Sequence, residues 1–298
     1  MSSSFSKLIS GAFFVCSSLL VSAAPTNKVL VIGIDGARSD CLLVANTPNI
    51  DSLWRNAAGA YRFDAITDKI TVSGPAWTTM LSGISSDRHG VKGNKQDDKG
   101  VFVGYQPACK TFLNRLEDFN PQLYTASLSQ WAPINGLMGE NVDYQTSGKS
   151  EVEIRDKTVE LLKTKNPDAI FIQLDDVDGA GHKSGYDPGN DTYIKAIETA
   201  DAHIGEILKA VRARPTYQEE NWLVIVSTDH GGRKKSHGGN SNEEKTVFFI
   251  ANGPSIQPGE LSQGVITADV AATALAHMGV PIDPEWKLEG KARGLKQK

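Results

Sequence analysis

Trp222-Leu-Val-Ile-Val-Ser-Thr-Asp-His-Gly-Gly-Arg-Lys-Lys-Ser-His-Gly-Gly239 is the stretch from which the rest of this chain is read. Its apolar, β-branched run from Leu223 to Val226 has the pattern of a buried strand. Directly after it stand Asp229 and His230, then a glycine pair, a polar turn and His237. Carboxylate and imidazole are ligands that a divalent ion such as zinc accepts. Glycines let the backbone pass close to whatever is bound there. An Asp-His pair is also common on ordinary surfaces, so the test is whether other strands end in the same way.

Two others do. Lys28 to Ile34 is a continuous apolar run closed by Asp35-Gly36, and Ala169 to Leu174 is another, followed by Asp175, Asp176, Asp178 and His182. Further strands are expected over Ala60–Ile66, Leu123–Leu128 and Thr246–Ala251, the last a buried run. Helical patterns lie between them, over Lys110–Phe119, Ser150–Thr164, Asp191–Arg212 and Thr267–Met278, with a Thr-Pro start at Thr47. Strands alternating with helices predict an α/β fold, a three-layer sandwich around a mainly parallel sheet. Ligands of such sheets bind beyond the carboxyl ends of the strands. Parallel strands therefore bring Asp35, Asp178, His182, Asp229 and His230 to one edge. The Trp131–Asn141 stretch reads as loop, and the tail from Pro284 as polar and loosely held.

Ser73 precedes Gly74-Pro75, and Pro75 fits the first turn of a helix through Leu81. A serine there is either a helix cap or a hydroxyl facing an anion at free backbone N–H groups. Three aspartates, three histidines and one hydroxyl exceed the needs of one zinc and suit two. A close metal pair clamps the attacking and leaving oxygens of an in-line displacement.

Composition narrows the class. The net charge of −4 does not suggest nucleic-acid binding, which favours basic patches. Lys7 followed by the apolar stretch Leu8 to Val21 and the small residues before Ala24 read as a signal peptide over residues 1–24, with residues 25–298 forming a single catalytic domain. The stretch is too short and too Ser-interrupted for a good membrane span, so an exported protein, periplasmic or secreted, is expected, with an uncleaved anchor as the alternative. Cys41 and Cys109 can pair in that setting or remain buried thiols. His89 reads as structural, His203 as a surface residue and His277 as complementing a helix C-terminus. Asp175 and Asp176 read either as partners orienting His182 or as exposed turn carboxylates. Trp77 and Trp131 read as core packing or as stacking surfaces for an aromatic leaving group.

Together Gly33-Ile-Asp35-Gly36, Ser73-Gly-Pro75, His89-Gly-Val-Lys-Gly-Asn94, Asp178-Gly-Ala-Gly-His182, Asp229-His230-Gly231 and His237-Gly238 resemble the alkaline phosphatase superfamily, most of all its type I phosphodiesterase/nucleotide pyrophosphatase branch. The resemblance implies a hydrolase of small-molecule phosphate esters that uses two Zn2+, or other divalent transition metals. One ion would be held by Asp35, Asp229, His230 and the Ser73 oxygen, the other by Asp178, His182 and His237. Ser73 would be the nucleophile of a covalent phosphoseryl intermediate, with Asn94 and the Gly74 N–H binding a phosphate oxygen. This chain has Ser where the branch often has Thr, and its third histidine follows the Asp-His pair closely. It lacks the inserted loops that shape nucleotide pockets in larger relatives. A sulfatase would want Arg at position 77, where this chain has Trp. A phosphomonoesterase would want added cationic help beside the nucleophile. A zinc-binding protein without turnover is the remaining alternative.

Overall fold

The computed structural model describes residues 25–55 and 59–297. The expected signal peptide lies outside the described residues. One eight-stranded sheet runs in the order β4-β3-β5-β1-β6-β7-β2-β8. The strands are β1 (Thr26–Ile34), β2 (Gly59–Ile66), β3 (Thr125–Ser129), β4 (Tyr144–Ser147), β5 (Ala169–Leu174), β6 (Glu220–Ser227), β7 (Thr246–Asn252) and β8 (Gly259–Glu260). The pairs β4/β3, β3/β5, β5/β1 and β1/β6 are parallel. Only β7 runs against its neighbours β6 and β2.

Alternation along the strands divides the core into two layers. Leu30, Ile32 and Ile34 of β1 face Ile154, Leu161, Ile197, Ile204 and Ile207 of the helices Glu151–Thr164 and Asp191–Arg212. Val29 and Val31 face the opposite way, toward Trp77, Met80, Phe112, Leu116, Val270 and Leu275 of the helices Ser73–Ser82, Phe112–Phe119 and Asp269–His277. This is the expected α/β/α sandwich.

Three local readings need correction, and one helix was not expected. The segment Asp176–Ser184 is a helix that its glycines, poor helix formers, conceal in sequence. The tail is not loose: Arg293 Nε donates to the buried Asp269 at 2.6 Å, the Glu289 N–H reaches Gly83 O at 2.9 Å, and Trp286 lies under the Arg115 guanidinium. His203 is buried rather than on the surface, because the inner face of its helix is broad enough to place it between Ala200 and Ile204, with Arg155 at 3.3 Å. Trp131 begins a 3-10 turn over Ala132–Leu137 rather than open loop. Cys41 and Cys109 are separate buried thiols. No helix among the described residues is long and apolar enough to cross a membrane.

Candidate active site

Sheet register assembles the site. The last β1/β6 pair is Gly33 with Ser227, so Asp35 and Asp229 stand two residues beyond it on adjacent strands. β5 ends beside β1 at Leu174, and the helix Asp176–Ser184 follows. Asp178 and His182 are four residues apart on that helix and therefore share a face. The loop after β6 returns to bring in His237, whose ring stacks on His230 at 3.8 Å between centroids.

Each imidazole is oriented by backbone. The Nδ1 of His230, His182 and His237 lies 2.8, 3.0 and 2.7 Å from the carbonyls of Gly231, Lys235 and Thr71. A carbonyl only accepts, so each Nδ1 carries a proton, and in the neutral ring it is Nε2 that has the lone pair. Around His230 Nε2 gather Ser73 Oγ at 3.1 Å, Asp229 Oδ2 at 3.3 Å and Asp35 Oδ1 at 3.5 Å. Both carboxylate oxygens are buried and have no hydrogen-bond partner among the described residues. Beside them, His182 Nε2 lies 3.2 Å from Asp178 Oδ2 and 3.1 Å from His237 Nε2, so two lone pairs face each other.

Such an arrangement suits a positive charge. Burial, then repulsion from Asp229, Asp178 and Asp175, pushes Asp35 well above the ordinary carboxylate range. Burial and then Asp178 do the same to Asp229, and burial with the neighbouring His237 holds His230 well below its ordinary value. Orphaned carboxylate oxygens and imidazole Nε2 atoms are donors that a divalent cation accepts. Asp35, Asp178 and His230 form one close group of such atoms and Asp178, His182 and His237 another, so Asp178 belongs to both. All seven predicted ligand residues meet at this edge.

Ser73 opens its helix with its hydroxyl free of any capping bond, because the N-cap position is Val72. Asn94 is exposed and its Oδ1 accepts the Gly74 N–H at 2.7 Å. The Gly74 N–H, expected to donate to substrate, is thus engaged by Asn94, which turns the Asn94 Nδ2 donors away from Gly74. Trp77 is fully buried, packs on Phe171 and donates Nε1 to Asp35 Oδ2 at 2.9 Å, which rules out stacking on substrate. Trp131 is half-buried against Phe102. Asp175 and Asp176 orient other side chains than His182: Asp175 accepts from Gln173, and Asp176 from Gln130.

Tyr186 was not legible as a site residue. Its ring passes between Gly181 and Gly232, where any added Cβ would overlap it, and its hydroxyl donates to Asp178 Oδ1 at 2.5 Å. Gly36 has φ +63°, and a Cβ there would come 2.4 Å from Asp178 Oδ1 and 3.1 Å from its Cα. Gly36→Ala is therefore expected to displace the Asp178 backbone, weaken metal binding at least about 10-fold and destabilise the fold by about 1–2 kcal/mol. Metal titration and thermal melting check both.

His89 ties the Ser73 helix to the Asn94 loop. Its Nδ1 accepts the Val91 N–H at 3.1 Å, so Nε2 carries the proton and donates to Thr79 Oγ1 at 3.0 Å; that hydroxyl donates to Asp68 at 2.9 Å. Burial pushes the imidazole down to about 4. Below about pH 6.5 the unfolded chain takes up this proton first. Stability is expected to fall as pH drops from 6.5 to 4, and His89→Gln to flatten that part of the melting-temperature profile.

A profile of the family described as type I phosphodiesterase / nucleotide pyrophosphatase matches residues 29–243. The chain is 24% identical over 243 residues to bis(5'-adenosyl)-triphosphatase ENPP4 of Bos taurus, covering 75% of this chain and 51% of that protein. It thus spans about half the length of this relative. Over 136 residues it is 29% identical to 2,3-bisphosphoglycerate-independent phosphoglycerate mutase of Cellvibrio japonicus (strain Ueda107), covering 44% of this chain and 24% of the mutase. An inactive form of murine ectonucleotide pyrophosphatase / phosphodiesterase 5 in complex with AMP superposes with a TM-score of 0.69 at 14% identity, over 86% of this chain and 96% of that one. A 2-O GAG sulfatase superposes with a TM-score of 0.72 at 15% identity, over 93% and 76% of the two chains. At such identities the two structures speak for the fold alone, whereas the match over residues 29–243 places this chain in the type I phosphodiesterase / nucleotide pyrophosphatase family.

Proposed function

We propose that the chain is an exported two-metal hydrolase of phosphoric ester bonds, acting on phosphodiesters or nucleotide pyrophosphates through Ser73. The observation that carries this is the pair of unpartnered oxygens, Asp35 Oδ1 and Asp229 Oδ2, gathered with the Ser73 hydroxyl around His230 Nε2. Asp35, Asp229, His230 and Ser73 would hold one Zn2+ and Asp178, His182 and His237 the second. Bound there, the pair would supply positive charge to the attacking and leaving oxygens.

The chain's own residues supply the rest. Ser73 Oγ attacks phosphorus as the bond to the opposite oxygen breaks, giving a phosphoseryl ester that water then cleaves. Asn94 Nδ2, oriented through the Gly74 N–H, donates to a non-bridging oxygen as its charge grows. Gly231, Lys235 and Thr71 carbonyls hold the three imidazoles in the tautomer the site requires.

A sulfatase finds support only in the shared fold, because position 77 is a buried tryptophan turned onto Asp35. The test is a paired rate with the zinc-loaded protein. Bis-p-nitrophenyl phosphate is expected to be cleaved well above p-nitrophenyl phosphate. The reverse ratio makes the protein a phosphomonoesterase, and no turnover of either ester overturns the proposal.

A further inference from the structure

We infer that Gln173 is a positioning residue: its carboxamide aims Asp35 at the metal locus and ties that aspartate to the start of the helix that carries Asp178 and His182. The inference rests on the two-metal reading above. Gln173 is fully buried near the end of β5, in register with Gly33 of β1. Every polar atom of its side chain is used. Oε1 accepts the Trp131 N–H at 2.8 Å, and Nε2 donates to Asp35 Oδ2 at 3.1 Å and to Asp175 Oδ1 at 2.8 Å. The orientation of the amide is forced, because the Trp131 N–H requires an acceptor and the two carboxylates require donors.

The consequence falls on Asp35. Trp77, on the Ser73 helix, donates to the same Oδ2 at 2.9 Å. With Oδ2 held from two elements, the carboxylate plane cannot swing, and Oδ1 is left unpartnered toward His230 Nε2. Asp175 is fixed in turn, its N–H donating to Gln130 Oε1 at 2.9 Å just before the helix Asp176–Ser184. A residue serving only to fill space here would not need two donors and an acceptor. Outer partners of this kind typically change metal affinity by about 10–100-fold.

The test is a Zn2+ titration against a competing chromophoric chelator, on the wild-type chain, Gln173→Met and Trp77→Phe. Methionine keeps the buried volume and removes the hydrogen bonds; phenylalanine keeps an aromatic ring and removes the second donor together with part of the buried indole. Each variant is expected to lose about 10–100-fold in affinity at one of two sites, with the other unchanged. A merely structural residue would lower the melting temperature without that selectivity. If the wild type binds two ions and both variants do so with unchanged affinities, the inference is wrong and the two-metal reading stands. A wild-type chain that binds no Zn2+ overturns both. Should Gln173→Met fail to fold, Gln173→Glu takes its place: it keeps the acceptor for the Trp131 N–H and removes the amide donors to Asp35 and Asp175, and unchanged Zn2+ affinities in it overturn the inference.

Discussion

Ser73→Ala is expected to lower phosphodiester turnover on the order of 10^4-fold or more while leaving the melting temperature and metal content nearly unchanged. The split between these readouts follows from what Ser73 does and does not touch. Its hydroxyl makes no capping bond to the helix it opens, so its removal does not cost the helix a cap. Among the described residues its one side-chain partner is His230 Nε2 at 3.1 Å, inside the candidate metal locus. Asp35, Asp229 and His230 remain to hold the ion after the substitution, so elemental analysis should still count about two metals per chain. The contact with His230 could otherwise be taken as a hydroxyl beside a general base. Metal removal separates the two ideas: a chelator should abolish the rate of the wild-type chain if the carboxylates around Nε2 serve a cation. Full activity in Ser73→Ala would remove this residue from the chemistry altogether.

The framework of this site was legible because chain order and sheet order reinforce one another. Asp35 and Asp229 each follow an apolar run, and parallel pairing of β1 with β6 places them side by side without any long-range guess. Asp178 and His182 were legible by type and by order, though not as a helix, since Gly179 and Gly181 hide the periodicity of Asp176–Ser184. What holds the ligands in place was not legible. Trp77 and Asp35 are 42 residues apart, and Gln173 and Asp35 are 138 apart. Neither a buried glutamine nor a tryptophan at helical spacing signals that it will bond a carboxylate. Tyr186 is concealed in the same way: its contact with Asp178 depends on two glycines, Gly181 and Gly232, that only the fold brings to either side of its ring. The loose tail was misread because its polar residues look solvated, whereas Arg293 answers a buried aspartate.

Asp178→Ala is expected to be the most damaging substitution among the proposed ligands, because Asp178 belongs to both groups of atoms that could hold a metal. Its Oδ2 faces His182 Nε2 at 3.2 Å and its Oδ1 lies 3.8 Å from His237 Nε2. Without it the second site keeps two imidazoles and no charged ligand, and that ion should be lost on dialysis. The first site should weaken by about 10-fold as well, since a nearby negative charge disappears. One effect runs the other way: Asp178 also pushes Asp35 and Asp229 up, so its removal eases their ionisation. That relief acts on protonation, which a cation bound at the site already reverses, so it should not outweigh a lost ligand at neutral pH. His237→Ala makes the contrast. It removes one neutral ligand from the second group only, and should leave about one ion per chain at undiminished affinity in the first. Metal counts near one for both variants, but with weakened retention only in Asp178→Ala, would match the shared position of this carboxylate. Two firmly held ions in Asp178→Ala would show that the two groups do not form a metal pair.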